Sequence, residues 1–284
     1  MTKEYIISEK HDSMAVREYI REVLGYSSRA LKELKYKGKI LVDGKSVYVN
    51  YILKSNTKLI LEFPETSSEN IEPQELPLDI LYEDDDYLAV NKPSNMPVHP
   101  SLYHYTGTLA NAVMYYYRER DFVFRVMTRL DVDTTGVVII AKNKLSARDF
   151  QKTACKKEYL AVCTGQFLNI KGKIDAPIGR DEGIIKRKIR QDGKKALTHY
   201  EVIEQRQGLS LVKVQPITGR THQIRLHMSH IGCALYGDYM YGEQVQGKRT
   251  MLHCERVSFY HKGLDKEITI KAKLPEDMAE IIKK

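Results

Sequence analysis

Cysteine is scarce in this chain, and the four present (Cys155, Cys163, Cys233, Cys254) are scattered without a Cys-x-x-Cys pair. That spacing argues against a structural zinc site and a disulfide framework, and it suits a reducing compartment. No apolar run approaches the ~20 residues of a membrane span. The opening Met1-Thr2-Lys3-Glu4-Tyr5 lacks the apolar core of a secretory signal. A cytoplasmic protein with no membrane partner is therefore expected. No internal repeat or low-complexity tract is present, nor a Gly-x-Ser-x-Gly elbow, nor a Gly-x-Gly-x-x-Gly fingerprint. Gly44-Lys45-Ser46 looks like the end of a phosphate loop, but Gly38 lies six positions earlier rather than five. A hairpin turn explains Asp43-Gly44 better. His222, His227 and His230 cluster on an expected helix without a His-Glu-x-x-His pattern or a cysteine partner, so no metal site is expected.

What the chain does have is positive charge, a net +8 over 284 residues. Fixed positive charge favours a polyanionic partner, because binding releases counterions condensed on phosphates. The charge is unevenly placed. Residues 29–39 hold five basic residues and one acidic, and residues 180–195 hold seven basic and three acidic. Residues 64–77 carry Glu65, Glu69, Glu72 and Glu75, three prolines and no basic residue. That acidic stretch reads as an exposed linker between a small basic domain, 1–63, and a larger one, 78–284.

In the small domain, Val16, Tyr19, Ile20, Val23 and Leu24 have helical spacing, closed by Gly25. A second helix starts at Ser27 or Ser28 and stops at Gly38. Residues 39–42 and 45–49 flank Asp43-Gly44 as a type I′ hairpin, and 57–63 supplies another strand. Arg29, Lys32, Lys35 and Lys39 gather on the second helix and its exit. This stretch resembles the S4 RNA-binding domain, which implies that these four residues contact RNA.

The large domain lacks a regular βαβ rhythm. Strands are expected at 80–82, 87–91, 137–141, 159–164, 209–214, 257–260 and 268–272, and a helix at 145–156. Another helix, capped by Thr221, has Ile224, Met228 and Ile231 on its apolar face. The class expected is α+β, with a mixed, largely antiparallel sheet and flanking helices. Arg129-Leu130-Asp131 precedes a tight Thr134-Thr135-Gly136 turn that leads into the apolar strand from Val137.

Five separated blocks carry the chemistry. They are Asn91-Lys92-Pro93 with Met96-Pro97-Val98-His99-Pro100; Gly107-Thr108-Leu109-Ala110-Asn111; Arg129-Leu130-Asp131 with Thr134-Thr135-Gly136; Lys157-Glu158-Tyr159-Leu160-Ala161; and Thr218-Gly219-Arg220-Thr221-His222-Gln223-Ile224-Arg225-Leu226-His227, with Gly237-Asp238 and Leu252-His253 downstream. In this order they resemble the RluA family of pseudouridine synthases across residues 78–274.

The resemblance implies isomerisation of uridine in RNA. The N1–C1′ bond breaks, the base turns, and C5 joins C1′, with no cofactor required. It makes Asp131 the catalytic carboxylate, acting as nucleophile at C1′ or base at C2′. It makes Arg225 the charge partner that keeps Asp131 ionised, and Tyr159 the ring that stacks on the detached uracil. Leu252 is assigned to apolar packing near the base. Arg129 is expected to fill the space left by a flipped base or hold a phosphate. Arg220, His222 and Gln223 are expected on RNA backbone or sugar. Two residues depart from the family pattern. Thr128 stands where histidine is common, a change expected to alter RNA contacts, and Thr135 stands where serine is common, which keeps the hydroxyl.

The expected partner is ribosomal RNA, large subunit first, with transfer RNA as the alternative and a monomer as the working form. Two rivals come from other classes. One is a non-catalytic RNA-binding or ribosome-assembly factor. The other is a nucleosidase or glycosidase, against which the single strong carboxylate candidate counts.

Overall fold

The computed structural model describes residues 2–26, 28–63, 71–101 and 104–283. The side chains of Arg29, Glu33 and Lys37 lie outside that description, as does the 64–70 part of the expected linker. The chain divides into two compact units, Met1–Ser67 and Ser68–Lys284.

In unit 1, β1 (Thr2–Ile6) is followed by α1 (Val16–Glu18), which runs into a π turn over Tyr19–Val23. Then come α2 (Ser28–Lys37), β2 (Lys39–Val42), β3 (Lys45–Ser46) and β4 (Lys58–Glu62). The strands form an antiparallel sheet in the order β1-β4-β2-β3. Its apolar face and the helices bury Val16, Ile20, Leu34, Leu59 and Leu61. Asp43 and Gly44 both have positive φ, 47° and 78°, as a type I′ hairpin needs. The sequence reading lacked β1, whose residues are mostly exposed and show no apolar alternation.

Unit 2 begins with residues that the sequence reading gave to a linker. Ile71 is 8% exposed in the core around Leu88 and Val113. Gln74 accepts a hydrogen bond from the Gly107 N–H, and the Glu72 carbonyl accepts one from Asn111. Composition signalled exposure; these contacts tie the segment down.

The body of unit 2 runs β5 (Ile80–Glu83), β6 (Tyr87–Lys92), α3 (Leu109–Tyr116), β7 (Thr135–Ala141), α4 (Lys144–Lys152) and β8 (Cys155–Thr164). It continues through β9 (Lys171–Asp175), the short pair β10 (Ile178–Gly179) and β11 (Lys188–Ile189), β12 (Leu197–Arg206) and β13 (Leu209–Pro216). The chain closes with α5 (Gln223–His230), β14 (Leu252–His261), β15 (Lys266–Lys271) and α6 (Glu276–Lys283). One sheet joins nine strands in the order β5-β6-β7-β14-β8-β13-β12-β9, with β15 paired to β14. Pairing within it is antiparallel except between β7 and β14, so the α+β expectation holds.

Three local expectations need correction. The helix expected to reach residue 156 stops at Lys152, because Cys155 to Glu158 pair with β14. Thr135-Gly136 is the start of β7 rather than a turn; the turn lies just before it, closed by the Thr134 N–H on the Asp131 carbonyl at 3.2 Å. Gly136 has φ +111°, and a Cβ there would sit 2.2 Å from the Cys254 carbonyl oxygen. Only glycine lets β7 approach β14 so closely. Thr221 does not cap α5. His222 holds that position in the left-handed region, φ 57° and ψ 20°, and Ile231 lies beyond the helix, 36% exposed.

Candidate active site

The centre of the large sheet gathers the chemistry. The loop ahead of β7 carries Arg129 and Asp131. The first residue of β14 is Leu252, and Tyr159 on β8 lies opposite Cys254 of β14. From the other side, α5 and the loop before it bring Arg220, His222 and Arg225. All border one cavity of about 740 Å³, a size common for small-molecule sites.

Asp131 is 31% exposed, and its Oδ2 lies 3.5 Å from Arg225 Nη1. Arg225 is itself 4% exposed and clamped by a second carboxylate. Its Nε and Nη2 donate to Asp238 Oδ2 and Oδ1 at 2.8 and 2.7 Å. Asp238 is fully buried and also accepts the Met240 and Tyr241 backbone N–H groups. Burial opposes both charges. For Arg225, the hydrogen bonds and charge of Asp238, with Asp131 behind them, outweigh it and raise the pKa. For Asp238, the Arg225 hydrogen bonds and charge outweigh burial and lower it. The Tyr239 and Tyr241 rings lie 5.5 and 5.4 Å from the guanidinium, within cation–π range. The result is a fixed cation whose free edge faces Asp131.

Tyr159 is 7% exposed in the core, with its ring at the cavity wall. Burial, then Cys254, whose thiol its hydroxyl contacts, and the Asp131 charge push the phenol pKa well up. It keeps its proton and cannot serve as a base near neutral pH. Leu252 is 4% exposed beside it. Arg129 is exposed at the cavity edge. Arg220 is also exposed there, with Nε donating to the Lys195 carbonyl.

Gln223 does not fit an RNA-contact role. It is 3% exposed, and its amide makes four internal hydrogen bonds, accepting from Thr218 and the Arg220 N–H and donating to Leu197 and Thr198. That saturates the side chain, which locks the start of α5 onto β12. Thr128 is likewise 2% exposed, and its hydroxyl accepts the Ile139 N–H, so it meets β7 and not RNA. The Thr135 hydroxyl lies 2.8 Å from His253 Nδ1, a ring whose pKa burial pulls down to about 4. Both ring nitrogens of His227 are engaged, by Thr198 and the Ala176 carbonyl.

Sequence reasoning assigned no role to Asp238, Tyr241 or Lys92. Asp238 stood in a flagged block, but only the fold shows that it faces Arg225. Lys92 is fully buried, and its Nζ donates to the carbonyls of Pro93, Met96 and Val132 at 2.6, 2.9 and 2.8 Å. It thus ties the end of β6 to the Asp131 loop. Burial brings its pKa down to about 7, against the pull of Asp133 and Asp131.

In unit 1, Lys32, Lys35 and Lys39 are exposed, Lys35 lies 5.1 Å from the exposed Tyr36 ring, and Lys39 pairs loosely with Glu62 at 3.8 Å. The Arg29 side chain lies outside the described residues. Among the described residues no helix is long and apolar enough to cross a membrane.

A buried arginine aimed at a carboxylate in a cavity fixes an anion where it can act as nucleophile or base. Comparison with known proteins agrees. Residues 86–230 match the family described as RNA pseudouridylate synthase. The chain is 40% identical over 280 residues to the uncharacterized RNA pseudouridine synthase YjbO of Bacillus subtilis, covering 95% of this chain and 99% of that protein. It is 36% identical to the ribosomal large subunit pseudouridine synthase D of Vibrio vulnificus, over 90% of this chain and 86% of the relative. Among solved structures, human RNA pseudouridylate synthase domain containing 1 superposes with a TM-score of 0.59 at 26% identity, covering 75% of this chain and 96% of that one. The chain belongs to the RNA pseudouridylate synthase family and is an isomerase.

Proposed function

We propose that this enzyme converts specific uridines of ribosomal RNA, in the large subunit, to pseudouridine, with Asp131 as the carboxylate that acts at the ribose. The observation that carries this reading is the Asp131–Arg225–Asp238 chain. A carboxylate is held at the cavity by a cation that is itself fixed by a buried counter-charge. Asp131 attacks C1′ or removes the C2′ proton; either role uses the anion. Tyr159 and Leu252 offer a ring and an apolar wall for the uracil while it is detached, and Arg129 at the edge suits the space left by a flipped base. The exposed Lys32, Lys35 and Lys39 of unit 1, with the helix pair and hairpin that carry them, support an S4-like RNA-docking role for residues 1–63. The ribosomal target is supported by relatives named for the large subunit, such as that of Vibrio vulnificus. A cytoplasmic monomer is the proposed working form.

The decisive experiment uses Asp131→Asn. The variant is expected to fold as wild type, bind RNA and make no pseudouridine. Chemical mapping of total RNA from a deletion strain should show large-subunit sites restored by wild type and not by the variant. Equal restoration by both would mean that binding alone matters. Release of free uracil would mean a nucleosidase, and loss of sites only in transfer RNA would move the target.

A further inference from the structure

Detaching uracil from C1′ leaves the bond electrons on the base, so between the two bonds the ring is an anion with charge on N1 and both carbonyl oxygens. Something must hold that anion while it turns. Of the cavity groups above, Asp131 repels it, and Tyr159 offers a face with its hydroxyl turned to Cys254. Arg225 is spent on Asp238 and Asp131, and Arg129 and Arg220 are solvent-exposed at the edge.

His222 has the missing property. Its backbone is left-handed, an uncommon conformation for a non-glycine residue. The ring that this places at the cavity edge is fixed on its far side, with Nδ1 3.0 Å from the Tyr241 hydroxyl. That hydroxyl already accepts the Arg187 N–H at 2.7 Å. Among the described residues Nδ1 is its one other partner, so the tyrosine proton points to Nδ1. The neutral ring therefore carries its own proton on Nε2. Nε2 has no hydrogen-bond partner among the described residues.

We propose that the Nε2–H of His222 donates a hydrogen bond to a uracil carbonyl oxygen, holding the base through the interval in which it is detached. This rests on the uridine reading of the cavity. The bond strengthens as the oxygen gains negative charge, so it favours the detached state over the bound uridine. Burial keeps the ring neutral, helped by Arg225 and Arg187 and opposed by Asp131 and Asp238. A neutral donor holds an anion without surrendering its proton to it. Tyr241 is the positioning residue that sets the tautomer.

The test compares wild type, His222→Ala and His222→Gln on RNA carrying uridine, 2-thiouridine or 4-thiouridine at the target, since sulfur accepts a hydrogen bond poorly. On uridine, His222→Ala should lower kcat about tenfold to a hundredfold, as for loss of a hydrogen bond to a charged group. KM should hardly change, and His222→Gln should recover most of the loss. One thio substitution should slow wild type yet slow His222→Ala no further, and it identifies the oxygen. If both thio substitutions slow wild type and His222→Ala by equal factors, or if His222→Ala keeps wild-type kcat, the proposal is overturned. A loss explained by a lower melting temperature, with no rescue by glutamine, also overturns it. Absence of pseudouridine from wild type on plain uridine would instead fail the functional reading itself.

Discussion

Replacing Asp238 by asparagine changes one charge and almost no volume. Asp238 is fully buried and Arg225 is 4% exposed, so the pair has no water to take over when one charge is removed. Asparagine offers one carbonyl oxygen where two carboxylate oxygens accept, and it turns N–H donors toward guanidinium N–H donors. Breaking a buried pair in this way costs about 3–5 kcal/mol. For a domain of this size each kcal/mol shifts the melting temperature by about 2–4 °C, so a fall of roughly 6–20 °C is expected for unit 2. Activity should fall as well, because Arg225, freed from its clamp, can close on Asp131 from its present 3.5 Å and occupy the carboxylate proposed to act at the ribose. The assay is calorimetry with single-turnover pseudouridine formation on the same samples. The pH dependence gives a second check. The folded-state pKa of Asp238 is lowered, so its stabilising contribution is fully present above the unfolded value of about 3.9 and is lost as pH falls through it toward the folded value. The gap between wild type and Asp238→Asn should therefore narrow below about pH 4. A melting difference under about 2 °C at neutral pH with kcat unchanged would refute the clamp argument.

Two further perturbations test other parts of the molecule. Gly136→Ala should destabilise unit 2 by more than about 4 kcal/mol, because the new Cβ overlaps the Cys254 carbonyl at 2.2 Å and the φ of +111° disfavours any side chain; soluble protein with a near-native melting curve would contradict that. Lys32→Gln with Lys35→Gln should leave single-turnover chemistry at saturating RNA unchanged and reduce the slope of log affinity against log salt by about 0.7–0.9 per lost phosphate contact. An unchanged slope in a titration from low to moderate salt would count against RNA on that helix face.

Much of the fold was legible where a local rule governs. Asp43-Gly44 announces its hairpin, and the apolar run from Val137 announces a strand buried on both faces. What the sequence hid depends on contacts between distant segments. Thr221 is the better capping residue by type, yet the saturated amide of Gln223 fixes the start of α5 and leaves His222 at the turn. Arg225 looks like a solvated helix residue until Asp238 and the Tyr239 and Tyr241 rings close over it. The 71–77 segment reads as linker by its acids and prolines, although Ile71 finds a hydrophobic partner surface that only folding creates. Asp131 and its partner Arg225 were legible because their neighbours form a recognisable pattern; the clamp on Arg225 was not, because only the fold brings Asp238 onto the guanidinium.

Lys92 gives the Asp131 loop an anchor written in main chain. Its three donors end on three carbonyl oxygens, so the bonds do not depend on which side chains Pro93, Met96 and Val132 carry. Val132, 39% exposed between two aspartates, can therefore be exchanged for another side chain while the carboxylate beside it stays in register. The lysine has no such freedom. Arginine is too large for a site with no exposed surface, and methionine would strip the Pro93 and Met96 carbonyls of their partner and leave Val132 with only the Met96 N–H at 3.3 Å. One buried amine thus separates what the loop may present outward from where it must hold its charge.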